Sequence, residues 1–143
     1  MNKANSAAEL LKLRKVNCAQ AVLTSFCEEL GLDRDLALKV TKCFGGGIAG
    51  SGKTCGAVTG AYMVMGLRQP ASSEEPGKEK VQKLIKEFNE KFIALNGSLE
   101  CRSLLGYDVS QPAEFEAVKT KGLFVTTCPK FVKDSIEILE NSA

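Results

Sequence analysis

The segment from Gly45 to Leu67 constrains the fold of this chain more than any other part of the sequence. It begins with a glycine-dense loop, GGGIAGSGKT, and continues into an apolar run, CGAVTGAYMVMGL. One cysteine, Cys55, stands at the junction. The apolar run is too short and too rich in glycine to span a bilayer, so it is predicted to be a helix of a globular fold. Two interpretations of the junction follow: a phosphate-binding loop, or a thiol presented at the start of a helix.

Capping residues and the helical spacing of apolar residues predict four helices in the first half of the chain. The predicted helices cover residues 6–15, 18–30, 33–44 and 55–68. Glycines are predicted to end the second helix at Gly31 and the third at Gly45. The residues predicted to cap or start the helices are short and polar: Ser6, Asn17, Asp33 and Thr54.

The second half of the chain continues the helical pattern. Residues 78–96 form the clearest amphipathic helix, and shorter helices are predicted at 98–105, at 113–120 and from Thr127 onwards. Residues 123–126 are predicted to be extended, and residues 69–77 to be a surface loop containing Pro70, Ser72, Ser73 and Pro76. No alternating strands of useful length appear. The predicted fold class is therefore all-α, one domain over residues 1–143, built as a bundle of about six to eight short helices.

Composition narrows the classes of function. The net charge is +2, with basic and acidic residues interspersed, and there is no tryptophan. Neither a basic patch nor a base-stacking platform is indicated, so nucleic acid is not an expected partner. The N-terminal residues lack the apolar core of a secretory signal, and no apolar run is long enough for membrane insertion. The expected location is cytoplasmic.

The loop sequence from Gly47 to Thr54 matches the phosphate-loop pattern G-x-x-x-x-G-K-[ST] at every position. In such a loop, backbone N–H groups and Lys53 would bind phosphates and Thr54 would bind Mg²⁺. A phosphate loop follows a buried strand, however, whereas residues 33–42 here are charged and have helical spacing. P-loop-like nucleotide binding at 47–54 is therefore the lesser alternative.

The chain has six cysteines and no histidine, which excludes Cys/His zinc sites and histidine-assisted catalysis. In a reducing compartment, six cysteines indicate metal binding or redox chemistry rather than structural disulfides. Cys27 and Cys43 are interpreted as small buried hydrophobes. The other four lie at predicted helix starts, where the helix dipole and nearby Lys53, Arg102 and Lys130 are expected to lower the thiol pKa. Buried structural cysteines explain those four positions equally well: Cys18, Cys55, Cys101 and Cys128.

At these four cysteines, and through the CGAVTG block that starts at Cys55, the chain resembles the C_GCAxxG_C_C family of redox-active proteins. The motifs NCAQ at 17–20, FGGG at 44–47, AYMVMGL at 61–67 and CRSLLG at 101–106 also look like family sequence. The resemblance implies a bacterial or archaeal protein whose functional set is Cys18, Cys55, Cys101 and Cys128. It also implies a redox partner protein or an oxidoreductase or transporter system, and iron–sulfur binding has been suggested for the family. Lys53 is not part of the family pattern, which counts against the phosphate loop.

Four neighbouring thiolates repel one another, so they coexist only around a metal, as disulfides or as partly protonated thiols. A Cys₄ site would hold Zn²⁺ or an iron–sulfur cluster, whereas paired thiols would cycle as dithiol and disulfide. The sequence therefore predicts a small redox-active protein, with a non-catalytic zinc-stabilised partner-binding module as the alternative. Gly56 and Gly60 are predicted to allow close approach beside Cys55, although helix packing is a second role for Gly60 and for Gly66. The glycine-rich apolar helix surfaces are also compatible with a homodimer.

Overall fold

Helices joined by turns and loops make up the described part of the chain, so the all-α prediction is confirmed. The computed structural model describes residues 2–72, 74 and 77–142. Within those residues there is no strand, and one isolated antiparallel bridge joins Thr54 to Glu100. In chain order the helices are α1 (Lys3–Lys12), α2 (Cys18–Phe26), α3 (Arg34–Val40), α4 (Gly56–Leu67), α5 (Gly77–Asn96), α6 (Cys101–Leu105), α7 (Pro112–Thr120), α8 (Leu123–Thr126) and α9 (Cys128–Glu140), with a 3₁₀ turn at Lys42–Phe44.

Side-chain caps begin the helices where the sequence signals are strongest. Asn17 caps α2 by accepting a hydrogen bond from the Gln20 backbone N–H, and the Gln20 side chain accepts one from the Asn17 N–H in return. Asp33 caps α3 in the same manner by accepting from the Leu36 N–H. These caps satisfy N–H groups that the first turn of a helix leaves unpaired. Both predicted starts are confirmed.

The first helix is displaced from its prediction. Asn2, rather than Ser6, is its N-cap and accepts a hydrogen bond from the Asn5 N–H at 2.8 Å. The helix then ends at Lys12, before Arg14, whose φ of 58° is left-handed. Asn and Ser are both good caps, and the more N-terminal one caps the helix here.

Three further boundaries were predicted wrongly. The second helix ends at Phe26, four residues before the predicted Leu30, and a turn leads to Gly31 at a φ of 69°. The third helix ends at Val40, and its predicted continuation is the 3₁₀ turn. Residues 123–126, predicted to be extended, form the single helical turn α8 behind left-handed Gly122. β-Branched and aromatic residues in a short run raise strand propensity, but here no neighbouring strand is available to pair with it.

The predicted loop at 69–77 is only partly described. Pro70, Ala71 and Ser72 are exposed and lie outside the helices, as predicted. Ser73 and Pro76 lie outside the described residues, and α5 already begins at Gly77.

The core is built around α2, α4 and α9. The most extensive helix contact joins α2 to α4, and α1 packs on α9. A buried hydroxyl links α9 to α4, because Ser135 donates a hydrogen bond to the Ala57 carbonyl at 2.6 Å. The α5 helix joins this core through Phe88, which packs on Tyr62 of α4, and Phe92, which packs on Phe131 of α9. Although α4 is mostly buried and apolar, none of the helices in residues 2–72 and 77–142 has the combination of length and apolar composition that a membrane span requires.

Candidate functional site

All four cysteines singled out in the sequence line one cavity of about 470 Å³. Each comes from a different helix start: Cys18 is the first residue of α2, Cys55 the N-cap of α4, Cys101 the first residue of α6 and Cys128 the first residue of α9. Cys18 is half-buried, whereas the other three are at most 7% exposed. Helices that start far apart in the sequence thus bring their first residues to one place.

Cys18 is the centre of the cluster. Its thiol lies close enough to the thiols of Cys128 and Cys55 for each of them to shift its pKa. Cys101 interacts through charge with Cys18 and with Cys55. All four are free thiols. The arrangement is therefore a set of four free thiols on one cavity, with Cys18 beside Cys55 and Cys128.

Cys18 is positioned by its neighbours in the cap of α2. The Asn17 amide donates a hydrogen bond to the Thr41 carbonyl at 3.1 Å, and the Gln20 amide donates one to the Leu38 carbonyl at 3.0 Å. Asn17 and Gln20 therefore both cap the helix and fix it to the end of α3. The NCAQ motif of the sequence is the local device that orients this thiol.

Cys55 and Cys101 are held together by their backbones. The Cys55 N–H donates to the Leu99 carbonyl at 2.9 Å, and the Cys101 N–H donates to the Lys53 carbonyl at 2.7 Å. These bonds flank the Thr54–Glu100 bridge. Thr54, predicted to cap α4, instead donates its hydroxyl to the Glu100 carboxylate, and Cys55 takes the N-cap position.

The start of α6 also differs from its prediction. Glu100, and not Ser98, is its N-cap, and the Ser98 hydroxyl accepts a hydrogen bond from the Glu100 N–H at 3.0 Å. The bridge to Thr54 extends the backbone at Glu100, so the helix starts at Cys101. The predicted end at Leu105 is confirmed, and left-handed Gly106 follows.

The glycine loop is a compact left-handed turn. Residues 46–50 all have a positive φ, including Ile48 and Ala49. The backbone N–H groups of residues 49–53 donate to carbonyls of residues 43–48. A phosphate cradle needs such N–H groups free to face the ligand, and it follows a strand. The loop here follows the 3₁₀ turn instead, so the structure does not support P-loop-like binding at 47–54.

This turn leaves room for Cys101. A Cβ atom at Gly47 would lie 2.7 Å from the Cys101 Cβ and 2.6 Å from the Lys53 nitrogen. Arg102 holds the loop from outside, donating hydrogen bonds to the Gly52 carbonyl at 3.0 Å and the Ser51 carbonyl at 3.2 Å. The loop therefore shapes one wall of the cysteine cavity.

Gly56 and Gly60 let α4 approach α2 closely. A Cβ at Gly56 would lie 2.8 Å from the Ala19 nitrogen and 2.9 Å from the Cys18 Cβ. A Cβ at Gly60 would lie 3.0 Å from the Ala19 carbonyl oxygen. Gly56 also lines the cavity, whereas Gly60 does not. A Cβ at Gly66 would have no neighbour within 4 Å, so the predicted packing role of Gly66 is wrong.

The predicted lowering of thiol pKa by helix starts is wrong for three of the four cysteines. The hydrogen bond with Cys128, followed by burial, raises the pKa of Cys18 well above its ordinary value, while Cys55 acts in the opposite direction. The hydrogen bond with Cys18 and burial raise the pKa of Cys55, against the N–H groups of Ala57 and Val58. A helix dipole contributes only about 0.3–1 kcal/mol, less than the cost of charging a thiol in a buried cluster.

The pKa of Cys101 is also raised, but here burial is the largest cause. Burial raises its pKa from 9.0 to about 12, and the Arg102 guanidinium offsets part of that rise. The other predicted cations do not assist the cluster directly. Lys53 is exposed, and Lys130 donates to the Asn96 and Asp134 side chains at 2.7 and 2.5 Å.

Four thiols are the soft ligands that Zn²⁺ and iron–sulfur clusters take. Nevertheless, among the side chains that the structure describes, no group of three or more His, Cys, Asp or Glu residues could hold a metal ion. The chemistry of the donors fits such a centre and their spacing does not. Metal binding by Cys18, Cys55, Cys101 and Cys128 therefore stays a prediction.

The two remaining cysteines lie away from this cavity. Cys27 is 2% exposed, and its thiol donates to the Thr24 carbonyl at 3.2 Å, which confirms the prediction of a small buried side chain. Cys43 was predicted to be buried and is exposed. It lies in the 3₁₀ turn, where the chain leaves the helical path assumed for the prediction.

No sequence motif identified the rest of the cavity wall. Arg14 and Lys15 in the turn after α1, and Phe115 and Phe124 of α7 and α8, also line the cavity. These residues come from elements that the motifs around the cysteines do not include. Only the three-dimensional packing of the helices against one another shows that they belong to the site.

The fold and the site define a class: a small all-α protein in which four helix-start cysteines share one cavity. The family model described as "Putative redox-active protein (C_GCAxxG_C_C)" matches residues 16–142. The chain therefore belongs to the C_GCAxxG_C_C family, and the resemblance seen in the sequence is confirmed. The family description supports a redox-active protein. No curated protein and no solved structure matches the chain significantly.

Proposed function

We propose that this protein cycles between dithiol and disulfide states at the four-cysteine cavity, with Cys18 as the shared partner. The observation that carries the proposal is that four free thiols line one cavity, in which Cys18 lies beside both Cys55 and Cys128. Thiols in such contact can form a disulfide after small movements. Oxidation of two thiols forms one S–S bond and releases two protons and two electrons to the oxidant.

The accessibility of the thiols supports a defined order of reaction. Cys18 is the only one of the four that is more than marginally exposed, so an incoming oxidant meets it first. Cys55 or Cys128 then resolves the mixed disulfide, since both contact Cys18. Such a cycle needs a reducing surrounding between turnovers, which is consistent with the cytoplasm. The reductant would be a redox partner protein or an oxidoreductase or transporter system of the kind that the family resemblance implies.

A Cys₄ metal or iron–sulfur centre is the second candidate, because the described residues that line the cavity include four soft donors and no histidine or carboxylate. Cys18, Cys55, Cys101 and Cys128 would hold the group, and a cluster would supply one-electron transfer. A zinc ion would instead stabilise the fold without redox activity, as in a partner-binding module.

The deciding experiment begins with anaerobic purification, followed by iron, sulfide and zinc analysis and a visible spectrum. We expect a metal-free protein that loses two thiols on mild oxidation and regains them on reduction. Cys18→Ser and Cys55→Ser are compared with Cys27→Ser, which removes a buried thiol away from the cavity. We expect Cys18→Ser to abolish the reversible loss of thiols and Cys27→Ser to leave it unchanged.

Each of the other outcomes would assign a different role to the four-cysteine cavity. Iron together with sulfide, lost in Cys55→Ser, would replace the dithiol proposal with a cluster. Zinc alone, with unfolding on chelation, would identify the structural module. Equal effects of Cys18→Ser and Cys27→Ser would show that the cavity is not the reacting site.

A further inference from the structure

Charged and aromatic side chains both line the mouth of the cavity that holds the cysteines. Arg14, Lys15 and Phe115 line the mouth and are exposed, while Cys55, Cys101 and Cys128 lie at the buried end. No aspartate or glutamate lines this cavity in the described residues. Its volume of about 470 Å³ lies within the range of small-molecule pockets. Access to the thiols is therefore through a cationic and aromatic opening.

Neither cation at the mouth forms an ion pair within the part of the chain that the structure describes. No ion pair joins Arg14 or Lys15 to a carboxylate in residues 2–72, 74 and 77–142, although other surface lysines have such partners. The Arg14 guanidinium lies over the Phe124 ring at 4.6 Å, and Phe124 packs on Phe115 at 5.8 Å between ring centroids. The aromatic pair thus holds the guanidinium at the edge of an apolar surface.

The backbone conformation at Arg14 also indicates that this side chain has a role at the cavity. Arg14 takes a φ of 58° in the turn after α1, a position where glycine is the usual residue because it has no Cβ. Its N–H donates to the Leu11 carbonyl at 2.9 Å, which stabilises that turn for any side chain. A cation near the C-terminal end of a helix also interacts favourably with the helix dipole. That interaction alone would not require the side chain to contact an aromatic ring or to line a cavity.

We propose that the cavity admits a small organic disulfide bearing carboxylate groups, with Arg14 and Lys15 binding a carboxylate and the Phe115–Phe124 pair packing on the carbon chain. This inference rests on the dithiol function proposed above and adds the class of its substrate.

The reaction balances within the protein and this substrate. The Cys18 sulfur attacks one substrate sulfur, so a protein–substrate S–S bond forms and the substrate S–S bond breaks, releasing the first small thiol. Cys55 or Cys128 then attacks the Cys18 sulfur and releases the second small thiol. The two thiol protons of the protein end on the two products. The protein is oxidised by two electrons and the substrate is reduced by two.

The test compares two short disulfides of opposite charge, dithiodipropionate and cystamine, in the Cys43→Ser background that removes the exposed thiol. The loss of cavity thiols is followed at low ionic strength. Each rate is divided by the rate with the same chain unfolded in denaturant, which corrects for the intrinsic reactivity of each disulfide. We expect the normalised rate to be higher for the dianion by on the order of tenfold.

Two variant pairs identify the groups responsible. The double variant Arg14→Gln, Lys15→Gln should lose the preference for the dianion. The matched control Lys86→Gln, Lys91→Gln removes the same charge from exposed positions on α5, which does not line the cavity, and should retain the preference. Circular dichroism and urea midpoints establish that both remain folded.

The outcomes separate the two proposals. If neither disulfide oxidises the folded chain while the unfolded chain reacts with both, the dithiol function itself is overturned. If both oxidise the folded chain at equal normalised rates, or if the two double variants behave alike, the cavity thiols react without recognising an anion. Either of those results overturns the substrate class and leaves the dithiol function standing.

Discussion

At the scale of single residues, the environment of each cysteine decides its chemistry more than its position in a helix does. Six free thiols occur in one chain, yet they differ widely in exposure and in hydrogen-bonding partners. Cys18 contacts two other thiols, Cys27 donates to a carbonyl, and Cys43 is exposed to solvent. Because the thiolate is the reactive form, burial and neighbouring sulfur atoms should make the cavity thiols slow to react with ordinary alkylating reagents.

Alkylation should therefore discriminate sharply between the cysteines. When the reduced, metal-free protein is treated with iodoacetamide near neutral pH, we expect Cys43 to be labelled first. Cys101 should react at least about tenfold more slowly, because it is buried and its pKa is raised. Time-resolved peptide mass spectrometry measures each rate. In the unfolded chain all six cysteines should react at similar rates, and a folded chain that shows equal rates for Cys43 and Cys101 would contradict the burial described.

The residue-scale predictions from sequence succeeded where the signal was local. Asn17 next to Cys18 is a cap whose partner, Gln20, lies in the same helical turn, so the sequence was sufficient. The thiol pKa was not predictable in this way. It depends on sulfur atoms from other helices, and a local dipole argument omits them.

At the scale of elements, the contact between α2 and α4 sets the distance between Cys18 and Cys55. Glycines on α4 allow that contact, and Ser135 of α9 is hydrogen-bonded to the same helix. The spacing of Gly56 and Gly60 by four residues places both on the face of α4 that meets α2. The CGAVTG motif thus serves helix packing as well as presenting a thiol.

Two glycines of α4 provide a matched pair of variants. Gly60→Ala should destabilise the protein by about 1–3 kcal/mol, because the new Cβ would lie 3.0 Å from the Ala19 carbonyl oxygen and the Val22 Cβ. Gly66→Ala should stabilise it by up to about 1 kcal/mol, since the site is open and alanine favours helix. Urea unfolding of the reduced protein measures both. Shifts of the same sign in the two variants would refute the packing role assigned to Gly60.

Most elements could be predicted from the sequence, with particular exceptions. The amphipathic pattern of α5 and the proline near the start of α9 are strong local signals, and both helices appear where expected. The Thr54–Glu100 bridge was not predictable, because its partners are far apart in sequence. That bridge moved the starts of α4 and α6 from their predicted caps.

At the scale of the whole molecule, the buried thiols couple stability to pH. The folded chain keeps the Cys101 proton until about pH 12, whereas the unfolded thiol releases it near its ordinary value of 9.0. Between these values the unfolded state binds fewer protons than the folded state, so the free energy of unfolding decreases as pH rises. The raised pKa values of Cys18 and Cys55 act with the same sign.

We therefore expect the reduced, metal-free protein to lose stability progressively from pH 9.0 towards pH 12, with little change from this source below that window. Urea midpoints measured across the window test the expectation. Cys101→Ser should flatten part of the decline, because serine does not titrate there, while Cys43→Ser serves as the exposed control. A decline that is identical in both variants would remove Cys101 as a contributor.

Because Cys18 lies beside both Cys55 and Cys128, either of two disulfides can form within the chain. A bond from Cys18 to Cys55 would close a small ring near the N-terminus, whereas a bond to Cys128 would enclose most of the chain. In chain-entropy terms a ring of roughly 100 residues restricts the unfolded state by about 4.7 kcal/mol. A single two-electron event could thus change how far the chain expands when it unfolds, how fast it migrates in a denaturing gel and how easily it is threaded through a narrow pore.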